Sequence, residues 1–177
     1  SKYASYNNEL SLFTLYRCHN FHFKIYAAMF LGQLEPALTT AEALKALIPR
    51  AAINHEHAFL ASTLEGYFGI KAHVLIRFGR WQEILDEPLP TEPELYTFTT
   101  AIWLYAKGVA YAALGEIARA EEATKHFEQA CQRVPQERLL FNNNCREILG
   151  VGAAMLAGEL AYRKGDFAEA FSHLRES

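Results

Sequence analysis

Residues 105–135 read YAKGVAYAALGEIARAEEATKHFEQACQRVP. A run of apolar and small residues ends at Gly115, and a second run opens at Ile117 and closes at Pro135. Glycine takes the left-handed conformation that stops a helix without steric cost, and proline cannot continue one. The segment therefore predicts helix, tight turn, helix, with Ala120 and Ala123 as the small residues of the second helix. The same punctuation recurs in LGQLEPAL (Gly32, Ala37), FGRWQEIL (Gly79, Trp81) and KGDFAEAF (Gly165, Phe167, Ala170). Recurrence of one unit predicts stacked helical hairpins, an all-α superhelical array.

Working outward, residues 10–31 are apolar all round and lack Pro and Gly, which predicts a long buried helix. Gly32 ends it, and its partner runs over 34–48 up to Pro49. The next helix spans 55–78 and contains Gly66 and Gly69, each costing about 1 kcal/mol against Ala, so a kink or a close backbone contact is expected there. Its partner, from Trp81, is cut short by Pro88, Pro90 and Pro93. Helices over 95–114, 117–134, 145–164 and 167–177 follow, with Pro135 and Asn142–Asn144 marking a loop whose side chains cap backbone groups. No segment alternates with period two, so no strand is expected. The domain reading is one array over 1–177 with four units, 10–49, 55–90, 95–135 and 145–177. Its expected core includes Leu31, Leu44, Phe78, Trp81, Leu104, Tyr111, Leu114, Phe127, Leu156 and Phe167.

Composition narrows the functional classes. The 177 residues are 51% hydrophobic and 21% charged with a net charge of -3, which favours neither nucleic acid nor an anionic membrane as partner. The apolar run at 26–31 falls far short of the ~18–20 residues of a membrane span. Cys18, Cys131 and Cys145 form no CxxC pair and read as small core residues of a reduced, cytoplasmic protein. The opening SKYASYNN has no basic-then-apolar signal pattern. No GxSxG, HExxH or Gly-rich phosphate loop occurs, so nothing in the sequence names an enzyme.

Gly108, Tyr111 and Gly115, followed by Ala123, Phe127, Ala130 and Pro135 after a three-residue insertion, resemble a tetratricopeptide repeat. Gly158, Gly165, Asp166, Phe167 and Ala170 fit the same pattern, with Ala161 where an aromatic is usual. Gly32, Ala37 and Pro49 fit in the first unit, where Ile25 replaces the helix glycine; the Trp81 unit matches least. The units are longer and less even than the repeat's period of about 34 residues, which marks divergent repeats. The strings YRCHNFHFKIYAAM, RFGRWQEIL and GELAYRKGDF also resemble a mainly bacterial group of tetratricopeptide proteins.

The resemblance implies a right-handed superhelix of about four hairpins whose concave wall carries the first-helix residues thirteen, ten, six and three before each turn glycine. Those offsets select His19, His22, Tyr26 and Met29; Gly66, Gly69, His73 and Ile76, with Arg77 beside them; Ile102, Tyr105, Val109 and Ala112; and Gly152, Met155, Glu159 and Tyr162, with Arg163. The implied function is a protein-interaction module that takes a peptide or partner helix in a groove lined by His19, His22, Tyr26, His73, Arg77, Tyr105, Glu159, Tyr162 and Arg163. No cofactor is implied.

A second reading stays open. His19 and His22 lie three apart on one helix face, where neutral imidazoles can share a divalent metal such as zinc, with His73 and Glu159 completing the set. Gly66, Gly69 and Gly152 would then leave room for a small ligand, and an open water position would permit hydrolysis. The same histidines read equally as polar groove lining or as hydrogen-bonded helix packing. His55 and His57 read as solvated or capping residues, and His126 and His173 as outer-face residues. The final FAEAFSHLRES leaves the side of Leu160, Phe167 and Phe171 without a following repeat or polar cap. That predicts packing on another chain, as in a homo-oligomer, or on a further repeat of a longer array.

Overall fold

The computed structural model describes residues 12–54 and 58–177; Leu10, His55 and His57 lie outside them. Four turns organise the chain, and they are copies of one another. Gly32, Gly79, Gly115 and Gly165 all take left-handed φ, at 69, 64, 78 and 85°. In each, the glycine N–H donates to the carbonyl three residues back, as Gly115 does to Ala112 at 3.0 Å, and the following N–H donates four residues behind the glycine, as Glu116 does to Tyr111 at 2.9 Å. This double bond satisfies two of the carbonyls that every helix end leaves open. In each turn, too, the residue after the glycine accepts from the N–H four residues on, starting the second helix: Ala37 to Gln33, Ile84 to Arg80, Ala120 to Glu116 and Ala170 to Asp166. Those four donors are fully buried, since a small or compact side chain there lets the paired helices close.

The hairpins are α1 (Leu12–Phe30) with α2 (Leu34–Leu47), α5 (Ile70–Arg77) with the short α6 (Trp81–Asp86), α7 (Thr97–Ala113) with α8 (Ile117–Arg133), and α9 (Cys145–Lys164) with α10 (Phe167–Glu176). A one-turn α3 (Arg50–Ile53) and α4 (Ala58–Gly66) precede α5. The expected kink is a 3₁₀ turn, Tyr67–Gly69, between α4 and α5. Both glycines stand at close contacts. A Cβ on Gly66 would overlap Leu140 Cδ1, and one on Gly69 would lie 3.0 Å from Ile102 Cγ2.

Two apolar clusters run through the stack. Cys18, Ile25 and Leu44 of the first hairpin share a core with Leu64, Tyr67, Ile70 and Val74 of the second. The other side of the second hairpin, Ala72, Leu75 and Ile84, joins Phe98, Phe127 and Leu156 of the third and fourth. Leu38 packs against both clusters, which makes the core continuous.

Basic side chains from one unit close helix ends in the unit before. Lys107 on α7 donates to the carbonyls of Ile84, Leu85 and Glu87 at 3.0, 2.8 and 2.8 Å, satisfying the end of the truncated α6. Arg146 on α9 does the same for α8, at Val134 (2.7 Å) and Gln132 (3.0 Å). A cation placed there also meets the negative end of the helix dipole.

Three expected core residues prove exposed. Leu31 and Leu114 each sit one residue before a turn glycine, a position where Phe78 of the second unit by contrast packs against the core. Phe167 leans on the Tyr162 ring at 5.2 Å and faces solvent. Leu44, Phe127 and Leu156 are fully buried as expected, and Phe78, Trp81, Leu104 and Tyr111 are half-buried. The absence of strands also needs correction. Leu139–Leu140 pairs antiparallel with Asn143–Asn144, a minimal ribbon turned at Phe141, whose φ of 54° is left-handed. Asn144 then caps α9 by accepting from the Arg146 N–H at 2.8 Å.

Candidate binding groove

The first and second units bring four of the nine expected groove residues, His22, Tyr26, His73 and Arg77, together. His22 and Tyr26 on α1 face His73 on α5 across a cavity of about 310 Å³. Its remaining lining is apolar, from Phe98, Ile102 and Ile148, and its far side is closed by Leu140, Phe141 and Asn143 of the ribbon. Tyr26 and His73 also line an adjoining cavity of about 250 Å³ with Met29, Phe30 and Arg77. The two spaces form one cleft, apolar at the ribbon end and cationic at Arg77. Arg77 is exposed and has no acidic partner among the described residues.

The imidazoles are held neutral. His22 packs edge-on to Tyr26 at 4.8 Å and to Tyr67 at 5.4 Å. Burial pushes its pKa below the ordinary histidine value, and His19 and His73 lower it further. His73 is exposed at the opening of both cavities, and the protein around it likewise holds its pKa below the ordinary value. Neutral imidazoles offer one donor and one acceptor each, suited to hydrogen-bonding a ligand's amides.

The other five expected groove residues go elsewhere. His19 is exposed and lies against Phe23 at 4.7 Å, outside the cavity lining. Tyr105 is a packing residue: it is 7% exposed, its ring stands 6.0 Å from Phe127, and a Cβ built on Gly152 of α9 would lie 3.5 Å from it, an ordinary packing distance. Burial raises its hydroxyl pKa, with a smaller push from Glu159. Glu159 pairs with Arg163 at 2.8 Å, and Arg163 stands 5.9 Å over the Tyr162 ring, so this trio is a separate surface on the last unit. His126 is exposed on α8, and His173 stands 3.7 Å from Glu169.

Among the described residues, no three His, Cys, Asp or Glu side chains are placed to hold a metal ion. The space expected beside Gly66 and Gly69 is filled by Leu140 and Ile102, and that beside Gly152 by Tyr105. Cys18, Cys131 and Cys145 are free thiols, each pushed up to about 11 by burial, and are therefore inert. No described helix is long and apolar enough to cross a membrane.

Sequence reasoning missed the ribbon and its anchor. Glu65 on α4 is fully buried, accepts from the Thr99 N–H at 3.0 Å and pairs with Arg138 at the base of the ribbon. Two signals were present in the chain: one carboxylate inside the apolar run 58–70, and the apolar triplet Leu139–Phe141 inside a loop. Compared with known proteins, the chain matches no family model, no curated protein and no solved structure.

Proposed function

We propose that this chain is an interaction module of the tetratricopeptide type, whose concave cleft takes a peptide or helix from a partner protein. The observation that carries the reading is the juxtaposition of Tyr26, His22 and His73 with the Arg77 guanidinium, which has no acidic partner among the described residues, on one accessible wall. An aromatic anchor, amide-binding imidazoles and an exposed cation are the groups that peptide recognition uses, and Tyr and Arg are the residues enriched at binding hot spots. The fourfold glycine turn with a buried residue five positions on, Ala in three units and Ile84 in the second, supports the repeat type. The net charge of -3 argues against a nucleic-acid role. Partner capture with wild type, Tyr26→Ala and Arg77→Ala tests the reading: partners held by wild type are lost by both variants. An unchanged partner set in both removes the cleft from the account.

The cavity's volume and apolar lining favour a small organic ligand as a second reading, since ligand pockets begin at about 300 Å³. This reading does not extend to a metal, because His19 and Glu159 are engaged apart from His22 and His73. Retention of a small molecule by protein purified under native conditions, read by mass spectrometry, separates the two readings.

A further inference from the structure

The four glycines put the hairpins in one register, so positions in different units can be compared directly. Sixteen and nine residues before the glycine stand Thr63 and Ile70 in the second unit, Thr99 and Ala106 in the third, and Leu149 and Leu156 in the fourth. All six are buried. They face the preceding unit: Ile70 joins the core of Ile25 and Leu44, Thr99 binds Glu65, and Leu156 comes within 2.9 Å of where a Gly108 Cβ would stand. In the first unit the same two positions are Tyr16 and Phe23, and they are 63% and 64% exposed. The stacking face is therefore present on α1, carries aromatic side chains, and has no neighbour among the described residues.

The complementary face is equally defined. Six residues after the glycine stand Leu38 and Leu85, which pack into cores shared with the following hairpin, and Glu121, which pairs with Lys164 of the next unit at 2.6 Å. In the fourth unit that position is Phe171, 50% exposed, beside the exposed Phe167 and Leu174. Lys164 lies one residue before its glycine. The residue at that position in the first unit is Leu31, which is 71% exposed. Where the third and fourth units meet through an ion pair, the free faces offer Phe171 and Leu31, an apolar match. Charge agrees as well: α1 carries Arg17 and Lys24 and no acidic residue, whereas 166–177 carries Asp166, Glu169 and Glu176 against Arg175.

We infer that a second copy of this chain occupies the α1 face, its α10 stacking through Phe167 and Phe171 on Tyr16, Phe23 and Leu31. The contact continues the repeat grammar from one molecule into the next. It is heterologous, so each copy keeps one donor face and one acceptor face, and association grows end to end.

Sedimentation over a concentration series tests this with wild type, Phe23→Glu and Phe171→Glu. Both side chains are solvent-exposed, so the variants retain the wild-type helical content and melting temperature, checked by circular dichroism. Wild type gains mass with concentration, and each variant alone stays at 20.0 kDa. An equal mixture of the two variants, which retains one intact face of each kind, recovers a species of twice that mass and nothing larger. A wild type that stays monomeric throughout overturns the inference. So does a Phe171→Glu protein that still dimerises, which would mean two α1 faces meet each other, and so does a mixture that remains monomeric.

Discussion

Arg138, at the base of the ribbon before the last hairpin, forms an ion pair with Glu65, a fully buried carboxylate on the helix that leads into the second unit. This pair fixes the ribbon beside the cleft, with Leu140 over Gly66 and the Phe141 ring 5.8 Å from Tyr67. Removing one partner of such a pair strands a charge in the interior. Arg138→Met is expected to lose about 3–5 kcal/mol of stability at neutral pH, measured by denaturant unfolding.

The pH dependence of that loss has a defined sign. Burial holds the Glu65 pKa above its ordinary value, and Arg138 partly offsets the rise. A carboxyl whose folded pKa is raised binds more protons in the folded state, so stability from this group falls as pH rises from the ordinary carboxylate value through the folded one. Without Arg138 the window widens upward. The deficit of Arg138→Met is therefore smaller at mildly acidic pH than at neutrality, and a pH-independent deficit contradicts this assignment.

His22 and His73 act in the opposite sense. Their folded pKa values lie below the ordinary 6.5, so the unfolded chain takes up protons first as pH falls, and stability declines from about that point downward. A His22→Gln/His73→Gln protein should show a flatter stability profile across this range than wild type, by thermal denaturation in matched buffers.

The glycines offer a comparison in which one substitution changes sign. Gly115 has φ of 78° with nothing within 4 Å of a built Cβ, so Gly115→Ala meets backbone strain alone and should cost about 1–2 kcal/mol. Gly150 sits on α9 in equally open space without a left-handed φ. Gly150→Ala should stabilise by about 0.5–1 kcal/mol. Both are read from chemical denaturation midpoints.

Lys107 closes the end of α6, where the proline segment leaves carbonyls without helical partners. Lys107→Met should cost about 1–3 kcal/mol and speed amide exchange in 81–88 ahead of the rest of the chain. Uniform exchange across the protein contradicts a local capping role.

The turns were legible in the sequence because their determinants are local: a glycine, a compact residue five positions on, and the helical runs on either side. Residues 145–164 could be read as a helix to the residue, since Asn144 and Gly165 bracket it. The groove was only partly legible. His22, Tyr26, His73 and Arg77 follow from helix register, but Tyr105 at a comparable register is buried, because it packs in the core with Phe127, Leu149 and Leu156. The ribbon was illegible as structure, since Glu65 and Arg138 meet only once the second and third units have stacked. Leu31 and Phe167 read as core by hydropathy alone, yet both are exposed; which apolar residue at a unit boundary has a neighbour is decided by the stack.

The location of binding is tested most directly by following the imidazole proton signals by NMR as a partner recovered by capture is added. Binding in the cleft shifts the signals of His22 and His73 and leaves those of His126 and His173, outside it, in place. Shifts at His126 or His173 with His22 and His73 unmoved would contradict the assignment of the concave cleft as the binding surface.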